Sequence, residues 1–302
     1  MRFDFIDSEA WSRLEAAPTT TAEALMNDES RIRKALQTVN HVPLVTNNDS
    51  SFAGHKSRVG SRESLLLLGT VHSDHKGFSR TRAFLELYRP DLILVEISDF
   101  ALNFRKRRSF ELRKIFLERL RTVSRKMKIE FEAALRHVQI ASILRQIRLP
   151  YEYRASAAYA KRTGIDLIAV DYSEFSREWI GTWPEMISAE NLERLLEIDN
   201  IRAPVSSLYA QAARRICGES FLPEAQFFDA VRWQQRENLM ASQIASALER
   251  LGPERPVYIG GWWHLCSGGK IKTIRELLGI GKDCCVLLDR AAAGRRVDAK
   301  PR

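Results

Sequence analysis

Leu65-Leu66-Leu67-Leu68-Gly69-Thr70-Val71-His72 decides the reading of this 302-residue chain. A short leucine run with no polar face has the pattern of a strand buried on both sides. Gly69 then lets the backbone turn sharply as it leaves the sheet. His72 stands just past the carboxyl end of that strand, the edge on which open α/β sheets place their ligands. The same form returns far downstream as Val257-Tyr258-Ile259-Gly260-Gly261-Trp262-Trp263-His264. Two strand-Gly-x-x-His units in matching positions suggest a site.

Outward from these two stretches, strands are predicted at Leu65–Gly69, Leu92–Ile97, Asp166–Asp171, Val257–Gly260 and Cys284–Asp289. Helices are predicted near Arg80–Tyr88, Leu102–Arg121, Ser124–Arg145, Tyr153–Arg162, Ala189–Ile198, Val205–Cys217, Glu224–Leu251 and Lys270–Leu278, with a run of short helices from Ser173 to Leu222. Apolar strands alternating with helices predict an α/β fold. It would have a mostly parallel central sheet flanked by helices, a helical N-terminal extension and helical insertions. The extension is expected over residues 1–45, where Thr20 and Glu23 form a capping box and Ala24, Leu25, Ile32 and Leu36 a partial apolar face. A polar, Asn- and Ser-rich linker follows over 46–62, the α/β domain over 63–290 and a disordered tail over 291–302.

With 45% hydrophobic residues the chain can bury a sizeable core. It has no apolar run long enough to cross a membrane, and Met1-Arg2-Phe3-Asp4-Phe5-Ile6-Asp7 lacks the pattern of a signal peptide. A cytoplasmic protein without a transmembrane segment is therefore expected. The four cysteines lack the spacing of a disulfide framework or zinc ribbon, and Cys284-Cys285 read as packing residues of the last strand. The net charge of +9 has a local source: residues 104–128 hold eleven Lys or Arg against two Glu. Leu112, Phe116, Leu120, Val123 and Met127 fall at helical spacing there, giving a basic amphipathic helix. Its charges are either a solvated face or a contact for an anionic partner such as nucleic acid or anionic lipid.

Four strands end in residues that bind metals or move protons: His72, Glu96, Asp171 and His264. In a parallel sheet all four share the carboxyl edge. Two imidazoles with one or two carboxylates are a common ligand set for a divalent metal ion. Such an ion lowers the pKa of bound water and polarises a carbonyl, and a free carboxylate beside it can serve as general base. Glu96 closes the run Leu92-Ile93-Leu94-Val95, so it must be paired, bound or protonated, whereas Asp171 reads equally as a turn or cap residue. On the long helix the apolar stripe Leu251, Leu248, Ile244, Met240 continues to Glu237 and Trp233, which turns Glu237 inward. Arg236, about 100° round the helix, could orient Glu237 or bind a substrate carboxylate or oxyanion. His75 could pair with His72 as His-x-x-His, although its neighbours read as a solvated loop. Cys266 follows His264 closely enough to be considered as a nucleophile. Glu152 and Arg154 are ordinary first-turn charges or reach the same rim, and Trp262 and Trp263 wall a pocket or pack.

Leu68-Gly69-Thr70-Val71-His72, Pro90-Asp91-Leu92-Ile93-Leu94-Val95-Glu96, Arg236-Glu237-x-x-Met240 and Gly260-Gly261-Trp262-Trp263-His264, in that order, resemble the TraB/PrgY, GumN and TIKI family. Glu152-Tyr153-Arg154 through Asp171 is similar to the segment before that family's third core strand. The resemblance covers about Leu65 to Asp289. It implies an α/β fold related to erythromycin esterase and the haem-binding ChaN proteins. It also implies a site of His72, Glu96, Arg236, Glu237 and His264. TIKI members are described as metal-dependent proteases, so the expected function is a metal-dependent hydrolase acting on a peptide or small-molecule ester. His72, His264 and Glu96 would be its metal ligands; Glu96, Arg236 and Glu237 would be its catalytic groups. An esterase-like reaction without metal, with a His as general base, is a second expectation. The alternative is a non-catalytic ligand-binding or regulatory protein for haem or an anionic partner. Several family members carry a signal peptide or membrane helices, neither of which is expected here, and the helix after Glu96 is more basic than the family pattern requires.

Overall fold

The structure, a computed structural model, describes residues 64–218 and 229–291. The expected N-terminal extension and linker, and the tail beyond Ala291, lie outside the described residues; Ala291 itself is buried at the end of a helix. Five strands form one sheet: β1 (Leu66–Thr70), β2 (Leu92–Val95), β3 (Asp166–Ala169), β4 (Pro256–Gly261) and β5 (Cys285–Leu287). Their spatial order is β3-β2-β4-β1-β5, and every neighbouring pair is parallel. The α/β expectation therefore holds, with a sheet wholly rather than mostly parallel. β4, the fourth strand in sequence, occupies the centre between β1 and β2, with Leu68 beside Ile259 and Val95 beside Ile259 on its other side. All residues of β1, β2 and β4 are buried, which is why these strands read as continuous apolar runs.

Residues 64–99, 150–172, 203–218 and 229–291 form a compact unit around this sheet. Its helices are α1 (Gly77–Tyr88), α5 (Tyr151–Thr163), α9 (Val205–Ile216), α10 (Ala230–Leu251), α11 (Ile274–Leu278) and α12 (Leu288–Ala291). α10 starts at an Asp229 cap whose side chain accepts from the Arg232 amide, later than the predicted Glu224. Its stripe Met240, Ile244, Leu248 is buried as the periodicity demands. β2 and β3 end two residues before the predicted Ile97 and Asp171. After Val95 an Ile97 N–H to Val95 carbonyl bond (2.8 Å) turns the chain, while the Glu96 amide still donates to the Ile259 carbonyl of β4 (3.0 Å). Cys284 lies in a 3₁₀ turn before β5, and the chain is helical again from Leu288, short of the strand end predicted at Asp289.

Residues 100–149 and 173–202 form a second, helical unit. It holds α2 (Asp99–Lys126, all but its first residue), α3 (Phe131–Arg136), α4 (Val138–Ile147), α6 (Ser173–Gly181), α7 (Trp183–Met186) and α8 (Ala189–Glu197). The predicted break between Arg121 and Ser124 is absent. Thr122 and Ser124 donate to the carbonyls four residues back, at 3.2 and 2.6 Å, and so remain helical. The helix ends instead near Lys128, which takes a left-handed φ of 55°.

The basic character of α2 is partly internal. Arg105 Nε donates to the Gln146 carbonyl (3.0 Å) at the end of α4, and Arg119 to the Ile187 carbonyl (3.2 Å) at the end of α7. The last carbonyls of a helix lack intrahelical partners, and cations there meet the negative end of its dipole. Lys126 pairs with Glu193 at 2.8 Å. A part of the local charge excess therefore closes helix ends within this unit, a use that neither the solvated-face nor the partner reading anticipated.

Candidate active site

The carboxyl ends of β1, β4, β2 and β3 bring His72, His264, Glu96 and Asp171 into one network, as the parallel sheet requires. The central member is Glu96, with its side chain 10% exposed. Its Oε2 accepts from the Gly261 amide at 2.6 Å, while Oε1 takes Arg236 Nη2 at 2.7 Å and faces His264 Nε2 at 3.1 Å. His264, buried in the 3₁₀ turn Trp262–Leu265 after β4, turns its other nitrogen to Glu237. That Nδ1–Oε1 contact is 2.6 Å, an ion-pair contact outside in-line hydrogen-bond geometry. Glu237 is fixed through Oε2 by the Ile274 amide at the start of α11 (2.8 Å).

The first imidazole has a matching arrangement. His72 Nδ1 lies 2.8 Å from Glu152 Oε1, and its Nε2 is 4.0 Å from Glu96 Oε2. Glu152 is buried in the first turn of α5, where the helix dipole favours a carboxylate. The Thr70 hydroxyl shares its proton between Glu152 Oε1 (2.9 Å) and the Gly260 carbonyl (3.0 Å). Unlike His264, the His72 side chain is 63% exposed and forms the accessible lip of the site.

Two glycines make room for this convergence. A Cβ on Gly261 would stand 3.0 Å from His72 Nε2 and 3.3 Å from Glu96 Oε2. A Cβ on Gly260 would stand 2.9 Å from Glu96 Cβ and would overlap the Tyr258 hydroxyl. Tyr258 is fully buried on β4, its ring edge-on to His264 at 6.1 Å, and its hydroxyl has no hydrogen-bond partner. Sequence reasoning passed over Thr70 and Tyr258. The signal for Tyr258 was its position two residues before a glycine, on the same strand face.

Burial opposes charge on Glu96, yet His264, Arg236 and His72 outweigh it and hold its carboxyl well below the usual range. Desolvation likewise opposes protonation of His264, but Glu237 and Glu96 overcome it and raise its pKa to about 10. For His72 the same opposition of desolvation by Glu152 and Glu96 gives a rise to about 9, part of which solvent at the exposed ring screens away. Within the network four carboxylates (Glu96, Glu152, Asp171, Glu237) face one guanidinium. With neutral imidazoles three negative charges remain uncompensated; with both imidazoles protonated, one remains.

Arg236 occupies a different place from the one expected. Its Nε and Nη2 donate to Asp171 at 2.7 and 2.9 Å while Nη2 also reaches Glu96, and its side chain is 7% exposed. It holds two carboxylates rather than reaching toward a substrate. Both Arg236 and Glu237 are buried, although they stand about 100° apart on α10. Glu152 joins the site, whereas Arg154 turns away and is exposed over the Phe78 ring at 5.3 Å. His75 is exposed too; the neighbouring Asp74 is buried and takes Arg80 at 2.7 Å and the Tyr209 hydroxyl at 3.2 Å. No described contact joins His75 to His72. Cys266 is buried, with a thiol that burial raises to about 12, the wrong direction for a nucleophile. Trp262 and Trp263 stack at 4.9 Å and are half-buried.

Among the described residues no three His, Cys, Asp or Glu side chains already stand in a metal-holding group. The donor chemistry nevertheless fits a divalent ion: two imidazoles have their Nε2 atoms toward one carboxylate, and the network is rich in negative charge. No helix of the described residues is long and apolar enough to cross a membrane. Compared with models of known protein families, with curated proteins and with solved structures, the chain has no match.

Proposed function

We propose that this protein is a metal-dependent hydrolase of peptide or ester bonds, of the TraB, GumN and TIKI type that its motifs resemble. One observation carries the reading: each imidazole rests its Nδ1 against a buried carboxylate and turns its Nε2 toward Glu96. Carboxylate–histidine pairs of this kind fix the tautomer of metal-ligating imidazoles and raise their basicity. His72, His264 and Glu96 would hold the ion, which supplies polarisation of a carbonyl and a water acidic enough to attack it. Glu152 and Glu237 orient the two imidazoles. Arg236 fixes Glu96 and Asp171, and is a positioning residue. His72, as the exposed member, meets the substrate first.

The test is metal analysis of the purified protein, with hydrolysis of peptide and ester panels measured before and after chelation. Expected are about one equivalent of a divalent metal, its loss in His264→Ala and His72→Ala, and hydrolysis that chelation stops and metal restores. Undiminished metal in both variants would sink the ligand assignment. A second reading keeps hydrolysis and drops the metal: His72, oriented by Glu152 and exposed, acts as general base on water. Activity that survives exhaustive chelation would favour it. The pull of Glu152 toward the imidazolium does not separate the two, because a protonated ring can neither accept a proton nor ligate a metal ion.

A further inference from the structure

Where the chain leaves β4 after Gly261 lies a surface that the chemistry above does not use. Trp262 follows Gly261 directly, and its Cα would stand 3.1 Å from a Cβ on Gly69, so it covers the ends of both β1 and β4. Its ring stacks on Trp263 at 20°, and Arg215, in the last turn of α9, lies 5.7 Å from the centre of each indole. All three side chains are half-buried.

The cations around the site differ in how they are engaged. Arg236 is neutralised by Asp171 and Glu96. Arg275 is spent on the carbonyls of Ile216, Leu265 and Ile280. Arg215 pairs with no carboxylate or carbonyl among the described residues, and its Nε is buried with no hydrogen-bond partner. A guanidinium held over aromatic faces is pre-organised for a planar anion, because stacking fixes its plane while its N–H donors stay in the fork that matches a carboxylate. Within the site itself negative charge is in excess, so an anionic group on a substrate needs a cation outside that network.

We infer that Arg215, on the Trp262–Trp263 stack, binds a free carboxylate of the substrate, the C-terminal carboxylate of a peptide, and so selects carboxylate-terminated substrates. The inference rests on the hydrolase reading for what happens to the bound molecule, but not for its binding. Binding is read from the indoles themselves, as the change in protein tryptophan fluorescence on titration with N-acetyl-alanyl-phenylalanine and with its C-terminal amide. The acid is expected to bind about tenfold more tightly than the amide, the worth of one charge-assisted pair. Arg215→Gln erases that difference; Arg215→Lys keeps part of it, because charge remains and the fork is lost. Trp262→Phe with Trp263→Phe removes the optical response. Thermal melts of the variants that match wild type show that the fold is intact.

Equal affinity for acid and amide, no binding of either at millimolar concentration, or a preference that persists in folded Arg215→Gln overturns the inference. The titration is run with and without chelator. A carboxylate preference in a protein that hydrolyses nothing overturns the hydrolase reading alone. Metal-dependent hydrolysis indifferent to the terminal carboxylate overturns this inference alone.

Discussion

Arg236 and Asp171 meet edge to edge, with Nε on Oδ1 at 2.7 Å and Nη2 on Oδ2 at 2.9 Å, and the same guanidinium reaches across to Glu96. Removing a buried partner strands the charges it neutralised. Arg236→Ala is expected to cost about 3–5 kcal/mol in chemical denaturation. Arg236→Lys keeps the charge but not the two-pronged geometry, and should fall between wild type and Ala. A loss below about 1 kcal/mol for Ala would mean that the network is dispensable for folding.

The paired glycines should separate packing from chemistry. Gly260→Ala pushes a methyl into the Tyr258 hydroxyl and Glu96 Cβ, so a stability loss of about 1–3 kcal/mol is expected by overpacking. Gly261→Ala meets chiefly the exposed His72 ring, which can move away. It should melt close to wild type while weakening metal binding. Melting curves and metal titration on the two variants check both halves.

Glu152 and Glu237 are expected to act on metal through the imidazoles. Each carboxylate-to-amide change, Glu152→Gln or Glu237→Gln, should weaken divalent metal binding about 10–100-fold without abolishing it. His264→Ala should abolish it. Competition against a chromophoric chelator reads all three. Equal loss in Glu152→Gln and His264→Ala would make Glu152 a ligand in its own right.

Thiol labelling orders the cysteines. Cys217 is exposed, whereas Cys266 is buried with its pKa pushed up to about 12. A raised pKa lowers the thiolate fraction at neutral pH, and the thiolate is the reactive form. Iodoacetamide at neutral pH should therefore alkylate Cys217 first and Cys266 only on unfolding. Peptide mapping of the native protein decides the order.

On the basic helix, equal charge changes should have unequal effects. Arg105→Ala and Arg119→Ala each free a helix-end carbonyl, at an expected cost of about 1 kcal/mol. Arg107 is exposed, and Arg107→Ala should stay within about 0.5 kcal/mol of wild type. Denaturation midpoints of the three variants make the comparison.

The fold was legible where a residue's environment is written in its neighbours. Leu65–Leu68 and Leu92–Val95 are apolar without interruption, so burial on both faces and the position of Glu96 at a strand end follow from one dimension of sequence. Glu237 was legible because it interrupts a helical stripe. Arg236 was misread because its partners Asp171 and Glu96 lie 65 and 140 residues away, and nothing local says whether a guanidinium is already engaged. Glu152 read as a first-turn charge or as a group reaching the same rim, and it is both; the choice depends on the first turn of α5 lying at the end of β1, where Thr70 and Val71 meet it. The helices read as Leu102–Arg121 and Ser124–Arg145 run together across Thr122 and Ser124, whose hydroxyls donate back along the helix. Tyr258 was absorbed into the apolar count of its strand, which conceals the hydroxyl.

The central place of β4 has a consequence for how the protein comes to be made. β1 and β2 are not neighbours; each waits for a strand that leaves the ribosome long afterward, and the Thr70–Gly260 and Glu96–Gly261 bonds close loops of 190 and 165 residues. Loop closure of that length must precede its reward, which makes such sheets slow to form. Until β4 is made the two leucine-rich strands have no partner between them. The nascent chain therefore carries its chemistry on two sides of an open seam, and the stretch from Ala230 to His264 both closes the sheet and brings Glu237 and His264 to the groups that were waiting for them.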